Sequence, residues 1–202
     1  MSILVATPAV RAAATPAWPP FLPPADTFPE AVAATVRHVW EDPTLVRTVE
    51  GEPVEVPAAV YRIFFDAPDV TTAAARHLGL ARYEVRKVGP ETYEADDRAG
   101  ARGHYRVLVH EPGRRVLLST GEHRSVFLGR VAGHALTVVT LDAADGAAIP
   151  RLTAYVRIDN AVAATIARTL VALFGHLADR KLAEGFRVTA EVAAWAARAP
   201  HA

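Results

Sequence analysis

The stretch that decides the fold is 151–177, which reads RLTAYVRIDN and then AVAATIARTLVALFGHL. Its first part alternates like a β-strand, and Asp159 or Asn160 can cap a helix directly after it. In the second part, apolar residues recur three and four positions apart, which predicts a helix with one buried face. They are Val162, Ile166, Leu170, Leu173, Phe174 and Leu177. Gly185 is expected to end this helix because glycine easily adopts the left-handed C-cap conformation, and a few more helical turns are expected after it.

Upstream of the helix lies a long region without helical periodicity, which reads as a series of β-strands. Turn-forming pairs such as Gly89-Pro90 and Pro112-Gly113 separate these strands. The predicted strands are 83–88, 92–96, 102–110, 115–120, 126–131, 135–142 and 151–158. Apolar and polar residues alternate most clearly in 102–110, which predicts one buried and one solvated face. The pattern indicates an antiparallel meander.

Before the meander, the chain contains one further predicted strand and a short helical segment. Val60 to Phe65 is rich in aromatic and β-branched residues and reads as a strand that Asp66 and Pro68 end. Residues 70–80 contain several alanines and no strand alternation, which indicates one or two short helical turns.

The N-terminal part reads as a separate unit. Prolines are so frequent in 1–25 that missing N–H groups and fixed φ angles predict an extended arm. Three apolar residues predict that the arm lies against the body of the protein. They are Trp18, Phe21 and Leu22. A helix capped by Asp26 or Thr27 follows, and Pro43 is expected to end it.

The charge balance bears on the class of partner. The 22 basic and 22 acidic residues cancel, so the chain lacks the overall positive charge of most nucleic-acid-binding proteins. Arg102, His104 and Arg106 form a basic strand face, but Asp96 and Asp97 lie close in sequence. Such a face is usually the solvated side of a sheet, so we expect no nucleic-acid partner. Two of the basic residues are lysines and the rest arginines, which is typical of a GC-rich bacterial genome.

No motif for a metal or a cofactor is present. The chain has no cysteine, and His104 and His110 on one strand are about 20 Å apart, too far to share a metal ion. No phosphate-binding loop, GxSxG or HExxH sequence occurs. No apolar run approaches the roughly 20 residues of a transmembrane helix, and no positive charge precedes the apolar run Ile3 to Val10. We therefore expect a cytoplasmic protein with neither metal nor cofactor and without integral membrane association.

The order of elements resembles the helix-grip fold of the START-like, or SRPBCC, superfamily, including its polyketide cyclase/dehydrase and lipid-transport members. The layout of residues 54–184 and the junction Tyr155 to Asn160 carry this resemblance. It implies an α+β fold in which a curved antiparallel sheet of about seven strands wraps a long C-terminal helix. We accordingly divide the chain into an arm plus capping helix, 1–53, and a START-like ligand-binding domain, 54–202. A pleckstrin-like barrel, the main alternative, has no helical insert such as 70–80.

The expected packing predicts a cavity. A twisted sheet of six or more strands curls, and one helix about 10 Å wide does not fill its concave side. The alternative is a solid core closed by large side chains. We expect the cavity to bind a hydrophobic or aromatic small molecule, lipid or polyketide-like as the resemblance implies. The candidate ligand-binding residues are Tyr61, Tyr105, Thr120, Tyr155, Ile166, Leu170 and Phe174.

Two other functions stay open on the sequence alone. One is a cyclase or aromatase acting in the same cavity, with Glu122 or His134 as general base and Arg157 stabilising an enolate. The other is an interaction domain whose arm docks on a partner or on a second copy, forming a homodimer. The sequence also leaves open which strand residues face inward, because a bulge, expected near Gly121 or Gly133, would exchange the two faces.

Overall fold

The structure, a computed structural model, describes residues 17–125, 129–144 and 147–198. Within these ranges the side chains at 125, 129, 143–144, 162–163, 166–178 and 180–182 lie outside the description. The described helices are a 3₁₀ turn Ala25–Thr27, α1 Glu30–Glu41, α2 Ala58–Asp66, α3 Pro68–His77 and α4 Ala161–Arg198. The described strands are β1 Leu45–Glu50, β2 Glu84–Gly89, β3 Thr92–Asp96, β4 Ala101–Glu111, β5 Arg114–Ser125, β6 Gly129–Ala144 and β7 Ala147–Ile158.

The described strands form one antiparallel sheet in the order β1-β7-β6-β5-β4-β3-β2. Strands β2 to β7 follow one another as a meander. Strand β1 lies at the edge of the sheet and pairs with β7. The curved sheet and the long C-terminal helix confirm the predicted α+β helix-grip fold.

The two faces of the sheet have different partners, because successive side chains of a strand point to opposite sides. On the first, which we call the helix face, Arg47 of β1 binds both carboxylate oxygens of Asp179 in α4, each at 2.6 Å. On the second, which we call the α1 face, Tyr155 of β7 contacts Trp40 of α1, with ring centroids 4.9 Å apart. Helices therefore cover parts of both faces.

The N-terminal segment packs on the α1 face. Its helix α1 buries Ala33, Val36 and Val39, three positions apart, as an amphipathic helix does. The cluster on this face consists of Leu22, Val36, Val39, Val109, Val116, Leu118 and Leu136, with Trp18, Phe21 and Phe28 against it. The described part of the arm thus lies against the body, as its apolar residues predict, and 1–16 lie outside the described residues.

A second core joins α2 and α3 to the last turns of α4. Ala75 of α3 packs with Val188 and Val192 of α4, all fully buried. Val188 and Val192 make this contact from turns of α4 that lie beyond Gly185, since the helix continues to Arg198. The prediction that α4 ends at Gly185 is therefore wrong. Gly185 lies inside α4 and does not have the positive φ of a left-handed C-cap, so the glycine marks no turn.

The predicted strand over Val60 to Phe65 is wrong, because these residues belong to α2. The segment is apolar at nearly every position, so it does not distinguish a period of two from one of 3.6. Pro57, which precedes the first helical residue, favours a helix start. In the helix Tyr61 is fully buried, whereas Ile63 is 63% exposed.

Two strands of the sheet differ from the prediction. Strand β1 was not predicted, and its partner β7 lies about a hundred residues later in the chain, so local sequence carries little trace of the pairing. The sheet thus begins before the boundary that we placed after residue 53. The predicted strands 126–131 and 135–142 are one strand, β6, which passes through Gly133; residues 126–128 lie outside the description.

The sheet carries a bulge in β4, not near Gly121 or Gly133 as expected. The register shifts between Val107, which pairs with Leu117, and Val109, which pairs with Val116. Val107 therefore faces the helix side and Val109 the α1 face. This exchange explains why the apolar alternation in β4 supplies side chains to both faces.

Candidate functional site

Three glycines lie side by side across the middle of the sheet. Gly103 of β4 pairs with Gly121 of β5, which pairs in turn with Gly133 of β6. A Cβ at Gly103 or Gly133 would lie 2.5 Å from the carbonyl oxygen of Thr120 or Arg157, respectively. Neighbouring backbones approach so closely here that an alanine would clash. We call these three residues the glycine row, and they leave the helix face without side chains at this level.

A pocket of about 420 Å³ lies over the glycine row on the helix face. Its lining on this face is mostly small or apolar, and consists of Ala95, Asp97, Ala101, Gly103, Tyr105, Ser119, Gly121, His123, Val131, Gly133, Ala135, Val156 and Ile158. The alternating residues Arg102, His104, Thr120, Glu122, Ala132 and His134 also border it, but strand geometry directs their side chains to the α1 face. Since Ile158 ends β7 shortly before α4 begins, the pocket lies where the sheet meets the start of the helix.

Two hydroxyl groups line this pocket. Tyr105 and Ser119 are cross-strand partners on the helix face. The Tyr105 ring stacks on Tyr93, with ring centroids 5.0 Å apart and an interplanar angle of 13°. Within the described part of the chain, neither hydroxyl has a hydrogen-bond partner. Burial raises the pKa of Tyr105, so this hydroxyl keeps its proton and can donate a hydrogen bond.

The charges around the pocket are compensated by neighbours. Arg115, which lies on the helix face with its side chain 5% exposed, pairs with the Asp66 carboxylate at 2.8 Å. At the rim, the Asp97 carboxylate accepts hydrogen bonds from the backbone N–H groups of Ala99 and Ala101, at 2.7 and 2.8 Å. A ligand in the pocket therefore meets hydroxyl groups, apolar surface and the imidazole of His123, while the Asp66 carboxylate pairs with Arg115 nearby.

The three candidate catalytic residues lie on the α1 face. Arg157 binds the Asp42 carboxylate and carbonyl just after α1, and Glu122 pairs with Arg130. The third, His134, is the cross-strand partner of Thr120 on one side and of Arg157 on the other. These side chains and those of Thr120 and Tyr155 therefore project away from α4, which settles the choice of face that the sequence left open. The physical reason is strand parity, which a sequence without register does not determine.

The structure does bring His134 together with other polar groups. Its Nδ1 lies 3.0 Å from the Thr120 hydroxyl, and its Nε2 lies 3.8 Å from a carboxylate oxygen of Asp159. The His38 ring from α1 meets the His134 ring edge-on, with centroids 6.1 Å apart. The sequence analysis named Thr120 as a ligand-binding candidate and His134 as a general-base candidate. It missed Asp159 and His38 as neighbours of His134, because their proximity arises only from register and helix packing.

The remaining predicted ligand-binding residues have separate positions. Tyr155 packs between Phe21 and Trp40, with ring centroids 5.8 and 4.9 Å away. Tyr61 belongs to α2, where its side chain is fully buried and stacks on Phe65. Its hydroxyl has no hydrogen-bond partner among the described groups. Ile166, Leu170 and Phe174 belong to α4, but their side chains lie outside the described residues. Of the predicted side chains that are described, Tyr105 is the one directed into the pocket.

A second concavity, of about 790 Å³, lies on the α1 face beside the area that α1 covers. Its charged side chains form ion pairs across or along the strands: Arg86 with Glu94, Arg98 with Glu84, Arg102 with Asp96 and Arg130 with Glu122. Exposed pairs of this kind contribute little to stability. Since the charges balance, the groove presents no net charge to a ligand.

Comparison with known proteins finds similarity only among solved structures. No protein-family model matches the chain, and no curated protein matches it. A conserved protein of Geobacillus kaustophilus superposes with a TM-score of 0.54 and 17% identity, over 75% of this chain and 95% of that one. Ara h 8.0201 gives 0.48 and 15% over 74% and 98%. DynU16, from the dynemicin biosynthetic locus, gives 0.42 and 14% over 76% and 47%.

The likeness to the Geobacillus kaustophilus protein agrees with the fold described above, and none of the three assigns a family or an activity. Separately, none of the helices in the described ranges is both long and apolar enough to span a membrane.

Proposed function

We propose that the protein binds a hydrophobic or aromatic small molecule in the pocket over the glycine row. The observation that carries this proposal is the glycine row itself, because three adjacent strands lack side chains where a solid core would need large ones. A concave apolar surface with a few polar groups is the usual form of a small-molecule site. The resemblance to START-like proteins leads to the same expectation, with lipids or polyketide-like molecules as the ligand class.

Apolar burial supplies the free energy of such binding. A ligand that buries roughly 300 Å² of apolar surface gains about 7 kcal/mol from the hydrophobic effect. Part of this gain offsets the lost translational and rotational freedom of the ligand. Affinity in the micromolar range or weaker is therefore expected for a ligand held by apolar contact alone.

Binding is better supported than cyclase chemistry in this pocket. The cyclase hypothesis requires Glu122, His134 or Arg157 to reach the bound molecule, and these side chains project from the opposite face. The interaction-domain hypothesis requires a free arm, whereas Phe21 and Leu22 pack within the chain.

A large side chain that fills the pocket is expected to weaken the binding of a hydrophobic molecule. Ala135 lines the pocket from β6, and Ala135→Phe would place a ring over the glycine row. We expect the affinity for the fluorescent hydrocarbon 1,6-diphenylhexatriene to fall at least tenfold, since the ring occupies the volume that the probe needs. Fluorescence titration of purified protein measures this change, and native mass spectrometry of the unliganded preparation detects any molecule that co-purifies.

The matched control is Ala132→Phe, in the same strand but on the α1 face, which should bind the probe like the wild type. Circular dichroism verifies that both variants fold. If wild type fails to bind the hydrocarbon, or if Ala135→Phe and Ala132→Phe bind it equally, the pocket is not the ligand site.

A further inference from the structure

We infer that the ligand is uncharged at its buried end and carries there a carbonyl or hydroxyl oxygen that Tyr105 and Ser119 bind. The inference rests on the proposed function and specifies the chemical class that the pocket accepts. Anionic ligands such as carboxylates are excluded from the same position.

The first step is the hydrogen-bonding capacity of the two hydroxyls. Tyr105 and Ser119 are cross-strand partners, so their Cβ atoms lie about 5 Å apart. Both residues line the pocket, and among the described residues neither hydroxyl has a hydrogen-bond partner. A bound oxygen would satisfy them, whereas a pure hydrocarbon would displace water from the hydroxyls without replacing its hydrogen bonds.

The second step is the protonation of Tyr105. Burial is the largest cause that raises the pKa of its hydroxyl, followed by the neighbouring Tyr93. The positive charge of Arg115 acts in the opposite direction, and Asp69 and Tyr83 raise the pKa further. Tyr105 therefore remains a neutral hydrogen-bond donor at physiological pH, suited to a carbonyl or hydroxyl oxygen.

The third step is the lack of an available counter-charge. Arg115, a buried cation of the helix face, pairs with the Asp66 carboxylate at 2.8 Å, although its Nε has no hydrogen-bond partner among the described groups. The basic side chain among the described residues that line the pocket on this face is His123, which lies four residues along β5 from Ser119 and therefore about 13 Å from it. Asp97 at the rim is negatively charged and would repel an anion. A buried carboxylate would thus lose its hydration without gaining a cation, which is strongly unfavourable. The pocket should select against it.

The test uses three naphthalenes of matched size as competitors of 1,6-diphenylhexatriene: 2-ethylnaphthalene, 2-acetylnaphthalene and 2-naphthoate. On wild-type protein, 2-acetylnaphthalene should compete at least tenfold better than 2-naphthoate at pH 7.5. Tyr105→Phe should weaken 2-acetylnaphthalene by about fivefold, the usual effect of one neutral hydrogen bond. The same variant should bind 2-ethylnaphthalene at least as tightly as wild type, because it has no Tyr105 hydroxyl left to desolvate. Tyr155→Phe, the same substitution on the α1 face, should alter neither competitor.

The outcomes separate this inference from the proposed function. If 2-ethylnaphthalene does not displace the probe from wild type, the proposed function fails. If it does, but 2-naphthoate competes as well as the ketone, the exclusion of anions is overturned. If Tyr105→Phe and Ser119→Ala both leave the ratio of ketone to hydrocarbon affinity unchanged, the oxygen-binding role of the pair is overturned while ligand binding stands.

Discussion

Gly133→Ala is expected to destabilise the protein by about 2–3 kcal/mol, because the new methyl group cannot fit without moving a neighbouring strand. Its Cβ would lie 2.5 Å from the Arg157 carbonyl oxygen, and a backbone atom in the middle of a sheet cannot rotate aside as a side chain does. Gly103→Ala should behave alike, since its Cβ would lie 2.5 Å from the Thr120 carbonyl oxygen. Urea denaturation followed by circular dichroism measures the loss.

Two alanine variants serve as graded controls for this prediction. At Gly121 the nearest atom is the Arg102 carbonyl oxygen at 3.1 Å, so a smaller loss, about 1 kcal/mol, is expected. At Gly185, inside α4, the methyl group meets nothing within 4 Å, and Gly185→Ala should stabilise the protein by about 0.5–1 kcal/mol through helix propensity. Equal stabilities for Gly133→Ala and Gly185→Ala would mean that the strands do not approach closely at the glycine row.

Alkaline pH is expected to unfold the protein through its buried tyrosines. Burial raises the pKa of Tyr61 in the folded state above the ordinary value of 10.0. Below pH 10 both states hold the proton, and the folded state has its full stability. As the pH rises above 10, the unfolded state ionises first, and stability falls by roughly 1.4 kcal/mol per pH unit for each such tyrosine until the folded pKa is passed. Tyr105, whose pKa burial also raises, acts in the same direction.

Tyr61→Phe separates the contribution of this residue. The variant lacks the ionisable group, so its free energy of unfolding should fall less steeply between pH 10 and 11.5 than that of wild type. It should also be about 1 kcal/mol more stable at pH 7, because the buried Tyr61 hydroxyl has no hydrogen-bond partner among the described groups. Urea titrations at each pH, with tyrosinate absorbance recorded in parallel, check both expectations. Identical pH slopes for the variant and wild type would contradict the argument.

The helix-grip fold could be predicted because its decisive features are local. Asp159 and Asn160 follow a strand and precede an amphipathic helix, and the turn pairs before them divide the chain into hairpins. Such hairpins pair neighbours in sequence, so the order of strands β2 to β7 follows from the order of the segments. Strand β1 was not predicted, because β7, the strand with which it pairs, lies far away in the sequence. Helix α2 was misassigned because Val60 to Phe65 is apolar at almost every position and so lacks a diagnostic period.

The candidate site could be predicted only in part, because it depends on register. Thr120 and Glu122 share one face, as alternation within a strand requires, whereas His134 and Arg157 join that face only through the register of neighbouring strands. Which face they share is set by the packing of α1 and α4 on opposite sides of the sheet. The glycine row had a signal in the sequence, because each of three consecutive strands contains an interior glycine. This signal acquires meaning only when strand pairing places those glycines side by side.

The amino-acid sequence by itself determined the class of fold, the long terminal helix and the packing of the arm through its apolar residues, because these follow from periodicities of a few residues. The tertiary structure decided which side chains face the pocket, that α4 passes through Gly185 and that Tyr105 rather than Tyr155 lines the pocket. These features depend on contacts between residues far apart in the chain, and a shift of one position in a strand reverses them.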